Sequence, residues 1–132
     1  MNVKIEKQSD GSFIAYNIDG EYVSLIGTGS TVAEAKADFL NSMEEVADTY
    51  KMRGDAIPDE LEEEAVFHFD ISSLFEFYPM INVSAFARYV GINDTLMRQY
   101  KKGDTYISDK QLAKIEKAIH RLGKEFSCLK LV

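Results

Sequence analysis

The sequence predicts an α+β chain in two pieces, a βββαβ unit over residues 1–71 followed by an all-helical bundle over 72–132. Three observations carry that prediction. Short runs rich in β-branched and aromatic residues crowd the first thirty positions and then give way to a long helical pattern. From residue 72 onward, apolar residues recur at helical spacing between polar caps and glycines. The charge divides at the same place. Residues 1–70 hold five Lys/Arg against sixteen Asp/Glu, net −11, whereas residues 71–132 hold ten against six, net +4. The overall charge of −7 thus averages an acidic piece and a basic one, and such asymmetry points to two surfaces with different partners.

Length and composition set outer bounds. A chain of 132 residues, 45% of them hydrophobic, can form one core or two small ones. No stretch approaches the run of about 18 apolar residues that a membrane span needs. The opening MNVKIEKQSDGSF lacks the basic-then-apolar layout of a signal peptide. Cys128 is the only cysteine, which excludes a disulfide framework and a multi-thiolate zinc site; its thiol is expected to be buried. The expectation is a cytoplasmic protein with no membrane partner, metal or cofactor.

The first piece opens with three strand-like runs, Val3–Lys7, Ser12–Ile18 and Tyr22–Thr28, separated by Asp10-Gly11 and Asp19-Gly20. Asp-Gly between apolar runs is a hairpin signal, so the three form an antiparallel meander. In the second run Phe13 and Ala15 point to one face while Ile14, Tyr16 and Ile18 point to the other. Apolar residues on both faces predict a central strand covered on both sides. Thr31-Val-Ala-Glu34 has the form of a capping box, with the Glu34 carboxylate reaching back to the cap. It opens a helix carrying Val32, Ala35, Phe39, Met43, Val46 and Tyr50 on one stripe and ending near Gly54. Residues 51–65, with Pro58 and the run Glu60-Leu-Glu-Glu-Glu64, read as a solvated loop. A fourth strand, Val66–Ile71, returns through a right-handed crossover to lie parallel to a meander strand.

Catalysis is not expected of this unit. Asp10 and Asp19 serve turns, Glu44, Glu45 and Asp48 lie on the outer helix face, and Glu60 to Glu64 form a charge run. Only His68 and Asp70 share a strand face, and no Ser or Cys nucleophile stands beside a second histidine.

In the second piece Ser72–Tyr78 reads as a short helix stopped by Pro79. Asn82 caps Val83–Val90, Gly91 ends that helix, Asn93 caps Asp94–Lys102, and Gly103 closes it. Ser108-Asp-Lys-Gln111 opens a last helix with Leu112, Ile115, Ile119, Leu122 and Phe126 along one side. The prediction is a bundle of four or five short helices. Within it, Phe86-Ala87-Arg-Tyr-Val-Gly91-Ile92 and the following GINDTLMRQYKKG resemble the helix-turn-helix of phage-repressor and Cro-like proteins. Ala87 lets two helices approach, Gly91 makes the turn, and Ile92, Met97 and Tyr100 pack the second helix inward. The resemblance implies a DNA-contacting set of Asn82, Ser84, Asn93, Asp94, Thr95, Arg98, Gln99, Lys101 and Lys102. Arg98 suits guanine and Gln99 adenine, while Lys101, Lys102 and the amides at Asn82 suit phosphates. Val83 departs from the pattern, since that family usually has a polar side chain there; contacts from the first helix are expected to be weaker.

Both pieces together, with GSFIAYNIDGEYVSLIGTGSTVAEAKADF joined to this second half, resemble the HicB family of antitoxins over nearly the whole chain. The most telling part is Gly27-Thr-Gly29 followed by Ser30-Thr-Val-Ala-Glu-Ala35 at the helix start, and Lys110–Val132 is similar to the tail of some members. The resemblance implies a partial RNase H-like fold used for binding, a HicA-like ribonuclease toxin as partner, and autorepression at operator DNA. The acidic positions Glu44, Glu45, Asp48, Asp59, Glu60, Glu62, Glu63 and Glu64 are then the candidate toxin contacts, because complementary charge speeds encounter with a basic protein. A homo-oligomer, at least a dimer on a palindromic operator, is expected through the second apolar face of the meander or the tail Cys128–Val132. Two rivals remain open: a stand-alone regulator whose first domain dimerises or senses a ligand, and an orphan nuclease.

Overall fold

Alternation along the strands decides which face of the sheet is covered. In the computed structural model, which describes all residues 1–132, β1 (Asn2–Lys7), β2 (Phe13–Asn17), β3 (Ile26–Gly29) and β4 (Val66–Phe69) form one mixed sheet in the order β3-β2-β1-β4. β1 and β2 pair antiparallel from Val3↔Asn17 to Lys7↔Phe13, β2 and β3 antiparallel, and β4 runs parallel to β1. Val3, Ile5, Phe13 and Ala15 point to one side and are buried beneath Val32, Ala35, Phe39 and Met43 of α1 (Val32–Arg53). With α2 (Ile71–Phe77), α3 (Val83–Val90), α4 (Asp94–Lys102) and α5 (Asp109–Ser127), the chain is α+β as expected. None of these helices is long and apolar enough to cross a membrane.

The other face of the sheet corrects an expectation. Ile14 and Tyr16 are only half-buried, Ile18 is 51% and Ile26 56% exposed, and α1 lies on the opposite side. Polar chemistry occupies part of this face. Lys4 Nζ meets Glu6 Oε1 at 2.7 Å, and the Tyr16 hydroxyl donates to Glu6 Oε2 at 3.1 Å. Burial, with the Glu6 carboxylate added, raises the Tyr16 pKa, and Glu6 raises that of Lys4. β2 is central in the sheet but covered on one side.

The Asp10-Gly11 hairpin forms as read, with Gln8 N–H donating to Ser12 O at 2.7 Å. The second connection does not. β3 begins four residues later than the sequence suggests, because the Asn17 carboxamide donates to Val23 O at 2.7 Å and accepts from Leu25 N–H at 2.8 Å. One side chain thus replaces the strand pairing that Tyr22–Leu25 would otherwise make. α1 is capped by Thr31, whose hydroxyl accepts from Glu34 N–H at 3.1 Å, and ends on Gly54. The Glu34 carboxylate reaches back one residue further than a capping box requires, accepting from Ser30 N–H at 2.7 Å and Ser30 Oγ at 2.6 Å. Those bonds hold its carboxyl below the ordinary value; the stabilisation is complete at neutral pH and is lost only on acidification through that lowered pKa.

The chain divides into Met1–Pro79 and Met80–Val132 rather than at 71/72. The difference is α2, which sequence reading assigns to the helical bundle. Its cap is Asp70, one carboxylate oxygen accepting from Ser73 N–H at 2.7 Å and the other from Lys7 N–H at 2.9 Å. Ser73 is fully buried, and Glu76 accepts from Val32 N–H at 2.9 Å, closing the first turn of α1. Lys36 of α1 sits 4.6 Å from the Phe67 ring and 4.5 Å from the Phe77 ring, joining α1, β4 and α2 by cation–π contact. Asp70→Ala removes a helix cap and a partner of β1 together. It is expected to cost about 1–2 kcal/mol, read as a lower urea midpoint with an unchanged slope.

The second unit contains three helices, not four or five. Its core is Phe86, Ala87 and Val90 of α3, Ile92 of the turn that follows, Met97 and Tyr100 of α4, and Ile115 and Ala118 of α5. The apolar stripe of α5 is covered only there; Leu112, Phe126 and Cys128 are exposed, the thiol contrary to expectation.

Candidate functional site

The geometry of the basic unit is set by how α3 turns into α4. Gly91 has φ 86°, a left-handed value that glycine adopts without a Cβ clash, and its N–H donates to Ala87 O at 2.9 Å. Ile92 N–H donates to the same carbonyl at 2.9 Å and its side chain drops into the core. Lys114 of α5 donates from Nζ to Gly91 O at 2.9 Å, so a third helix holds the turn. Ala87 is fully buried, as close approach of two helices requires.

Both helix starts use the predicted caps. Asn82 Oδ1 accepts from Ala85 N–H at 2.9 Å, and Asn93 Oδ1 accepts from Thr95 N–H at 2.9 Å and Leu96 N–H at 3.3 Å. These two carboxamides are therefore committed to the backbone through their oxygens. Met97 and Tyr100 face inward, which leaves Thr95, Arg98, Gln99 and Lys102 exposed at spacings of three, four and seven along α4. Lys101 is exposed beside them. Arg98 does not wave freely. Its Nη1 donates to Ser84 Oγ at 2.9 Å, which ties the guanidinium to α3 and leaves its other donors available. Asp94 is paired with Arg88 Nη1 at 3.3 Å, a second link between α3 and α4.

Of the nine predicted DNA contacts, Thr95, Arg98, Gln99, Lys101 and Lys102 share the outer side of α4, and Ser84 joins them through Arg98. Asn82, Asn93 and Asp94 act on the protein itself through caps and an ion pair. Sequence reasoning missed Arg88, whose side chain is 67% exposed beside the start of α4. Basic residues in the last turn of the first helix were the available signal.

The acidic unit carries two zones. Glu44, Glu45 and Asp48 are exposed on the outer face of α1. The 59–64 run is less free than a solvated loop: residues Asp59–Leu61 form a 3-10 turn and Leu61 is buried. Glu60 accepts from the amides of Glu21 at 3.2 Å and Tyr22 at 3.1 Å, and Glu63 meets the N-terminal ammonium at 2.9 Å. These two carboxylates fasten distant segments around a cleft of about 460 Å³. Asp59, Glu62 and Glu64 remain exposed. His68 and Asp70 do not meet: His68 Nε2 lies 3.0 Å from Asn2 Oδ1, while Asp70 caps α2.

Set against protein-family models, curated proteins and solved structures, the chain matches none of them. Function has therefore to be read from the two surfaces themselves.

Proposed function

We propose that this chain is a HicB-type antitoxin whose acidic unit neutralises a small basic ribonuclease and whose basic unit represses its own operon. The observation that carries the reading is the outward face of α4, with Thr95, Arg98, Gln99, Lys101 and Lys102, on a protein that is otherwise strongly acidic. Divided at Pro79, the first unit holds five basic and seventeen acidic residues, net −12, and the second ten and five, net +5. A surface of −12 repels nucleic acid and attracts a basic protein. The strand order β3-β2-β1-β4 with β4 parallel to β1 supports a partial RNase H-like assignment for the first unit. The α3–Gly91–α4 corner supports a helix-turn-helix for the second.

In this mechanism α4 enters the major groove and Arg98 reads a base edge. The Ser84 hydroxyl orients the guanidinium from α3, a contact that partly substitutes for the polar side chain missing at Val83. Lys101 and Lys102 neutralise phosphate and release counterions. Fluorescence anisotropy on the operator and on random duplex tests this. Arg98→Ala is expected to lose about 1–3 kcal/mol on the operator, with preference relaxed at one base pair. Replacing Lys101 and Lys102 with Ala is expected to weaken both duplexes alike and to lower the salt slope by about 2. Equal losses for Arg98→Ala on both duplexes would move Arg98 to a phosphate. No salt-sensitive binding by the folded protein would end the DNA reading.

A further inference from the structure

We infer that one edge of α5 is a second DNA-contacting surface, a row of cations that follows phosphates outside the base pairs read by α4. Lys110, Lys114, Lys117, Arg121 and Lys124 succeed one another at spacings of four, three, four and three. At about 100° per residue all five fall within roughly 40° of one line along the helix. All five are exposed. Asp109 and Glu116 lie about 100° or more from that line, and Glu125 borders its far end. The row holds five of the ten basic residues of Met80–Val132, and the unit's five acids cancel the other five. The net charge of +5 therefore resides on this edge.

The row is distinct from the α4 face. On α3, Ser84 and Arg88 meet Arg98 and Asp94 of α4, whereas Tyr89 meets Arg121 of α5. Those two flanks lie about 100–140° apart around α3. α3 thus separates the surfaces, and phosphates that meet α5 are not those that meet α4. Charge and composition select nucleic acid as the occupant. None of the five cations forms an ion pair with a carboxylate. Lys114 and Arg121 are bonded to neutral oxygens, the Gly91 carbonyl and the Tyr89 hydroxyl. Arg121 Cζ also lies 4.6 Å from the centre of the Tyr89 ring, which fixes the guanidinium and leaves its Nη groups for an anion. At 1.5 Å per residue the row is about 21 Å long, the length of about six phosphates of one DNA strand. It consists of four lysines and an arginine without an apolar anchor. Protein partners are instead held by aromatic and aliphatic centres from which lysine is depleted. The inference rests on the DNA reading of this unit and adds a second contact to it.

Fluorescence anisotropy of the full chain on a random duplex of about 30 base pairs, between about 50 and 200 mM salt, tests it. Lys110→Gln, Lys117→Gln and Lys124→Gln together are expected to lower the salt slope by about 2–3 and to weaken binding about tenfold or more. These three side chains are exposed and, unlike Lys114 and Arg121, are not bonded to α3, so the thermal melt should stay in place. Arg at the same three positions should keep the slope. Lys51→Gln with Arg53→Gln, exposed at the end of α1, should leave it unchanged. An unchanged slope with the Gln triple, where Lys101→Ala with Lys102→Ala lowers it, would overturn the row and leave α4 as the DNA surface. An equal loss from the Lys51 and Arg53 pair would also overturn it, because overall charge would then explain the effect. A slope lowered by the Gln triple and untouched by changes at Lys101 and Lys102 would keep the row and remove the α4 reading. No salt-sensitive binding by the folded chain would end both. Binding to phosphatidylserine vesicles that the Gln triple abolishes while DNA binding stands would give the row to an anionic membrane and overturn the proposal.

Discussion

Gly27→Ala is expected to destabilise the acidic unit by about 2–4 kcal/mol, and Gly27→Val to leave it unfolded. The cause is space rather than backbone conformation, since Gly27 is not among the glycines with positive φ. A Cβ at Gly27 would collide with Phe39 N and lie 2.6 Å from Ala35 O and 2.7 Å from Phe39 Cα. All three are backbone atoms of Ala35 and Phe39 in α1, so no change of rotamer can move them aside. At Gly29 the intruding atom would lie 2.7 Å from Ala35 N. β3 therefore rests directly on α1, and relief would require the helix that carries Phe39 and Met43 to lift from the sheet. The measurement is urea unfolding followed by circular dichroism. A loss under about 1 kcal/mol for Gly27→Ala would mean that α1 can shift away from β3 at little cost. Each glycine of Gly27-Thr-Gly29 is thus demanded by a close approach to the backbone of α1.

The elements that were legible in the sequence are those with chemical marks at both ends. α1, α3 and α4 each begin at a capping Thr or Asn and end on a glycine, and the structure places their bounds there. α2 goes to the helical bundle on sequence because the strand before it reads on to Ile71, which hides the cap, Asp70, inside a strand that ends at Phe69. Glu60 and Glu63 looked like surface charge because their partners are remote. The amides that Glu60 accepts from lie 39 and 38 residues earlier, and no local pattern reveals such bonds. Periodicity announced the apolar stripe of α5 but carries no information about whether the chain itself covers it. The α4 face was readable because inward Met97 and Tyr100 leave their neighbours no choice but outward.

The second large effect concerns the acidic unit. Residues 1–79 alone should bind and silence a basic HicA-like ribonuclease, and residues 80–132 should not. The cut belongs at 79, because ending the chain near 70 would strip away Ser73, Phe75 and Glu76, which pack on β1 and close α1. Exposed Glu44, Glu45, Asp48, Asp59, Glu62 and Glu64 are the carboxylates to neutralise. Glu60 and Glu63 are not, since their loss would loosen the fold itself. Charges of this kind steer encounter, so their replacement by amides should slow association and flatten its salt dependence more than it abolishes the complex.

The most direct measurement is the RNA-cleaving activity of a HicA-like ribonuclease, titrated with the full chain, with residues 1–79 and with residues 80–132. The first two are expected to suppress cleavage at near-stoichiometric ratios and the third to leave it unchanged. A folded 1–79 unit that neither binds nor inhibits at any salt concentration would contradict the account and make the chain a stand-alone DNA-binding regulator.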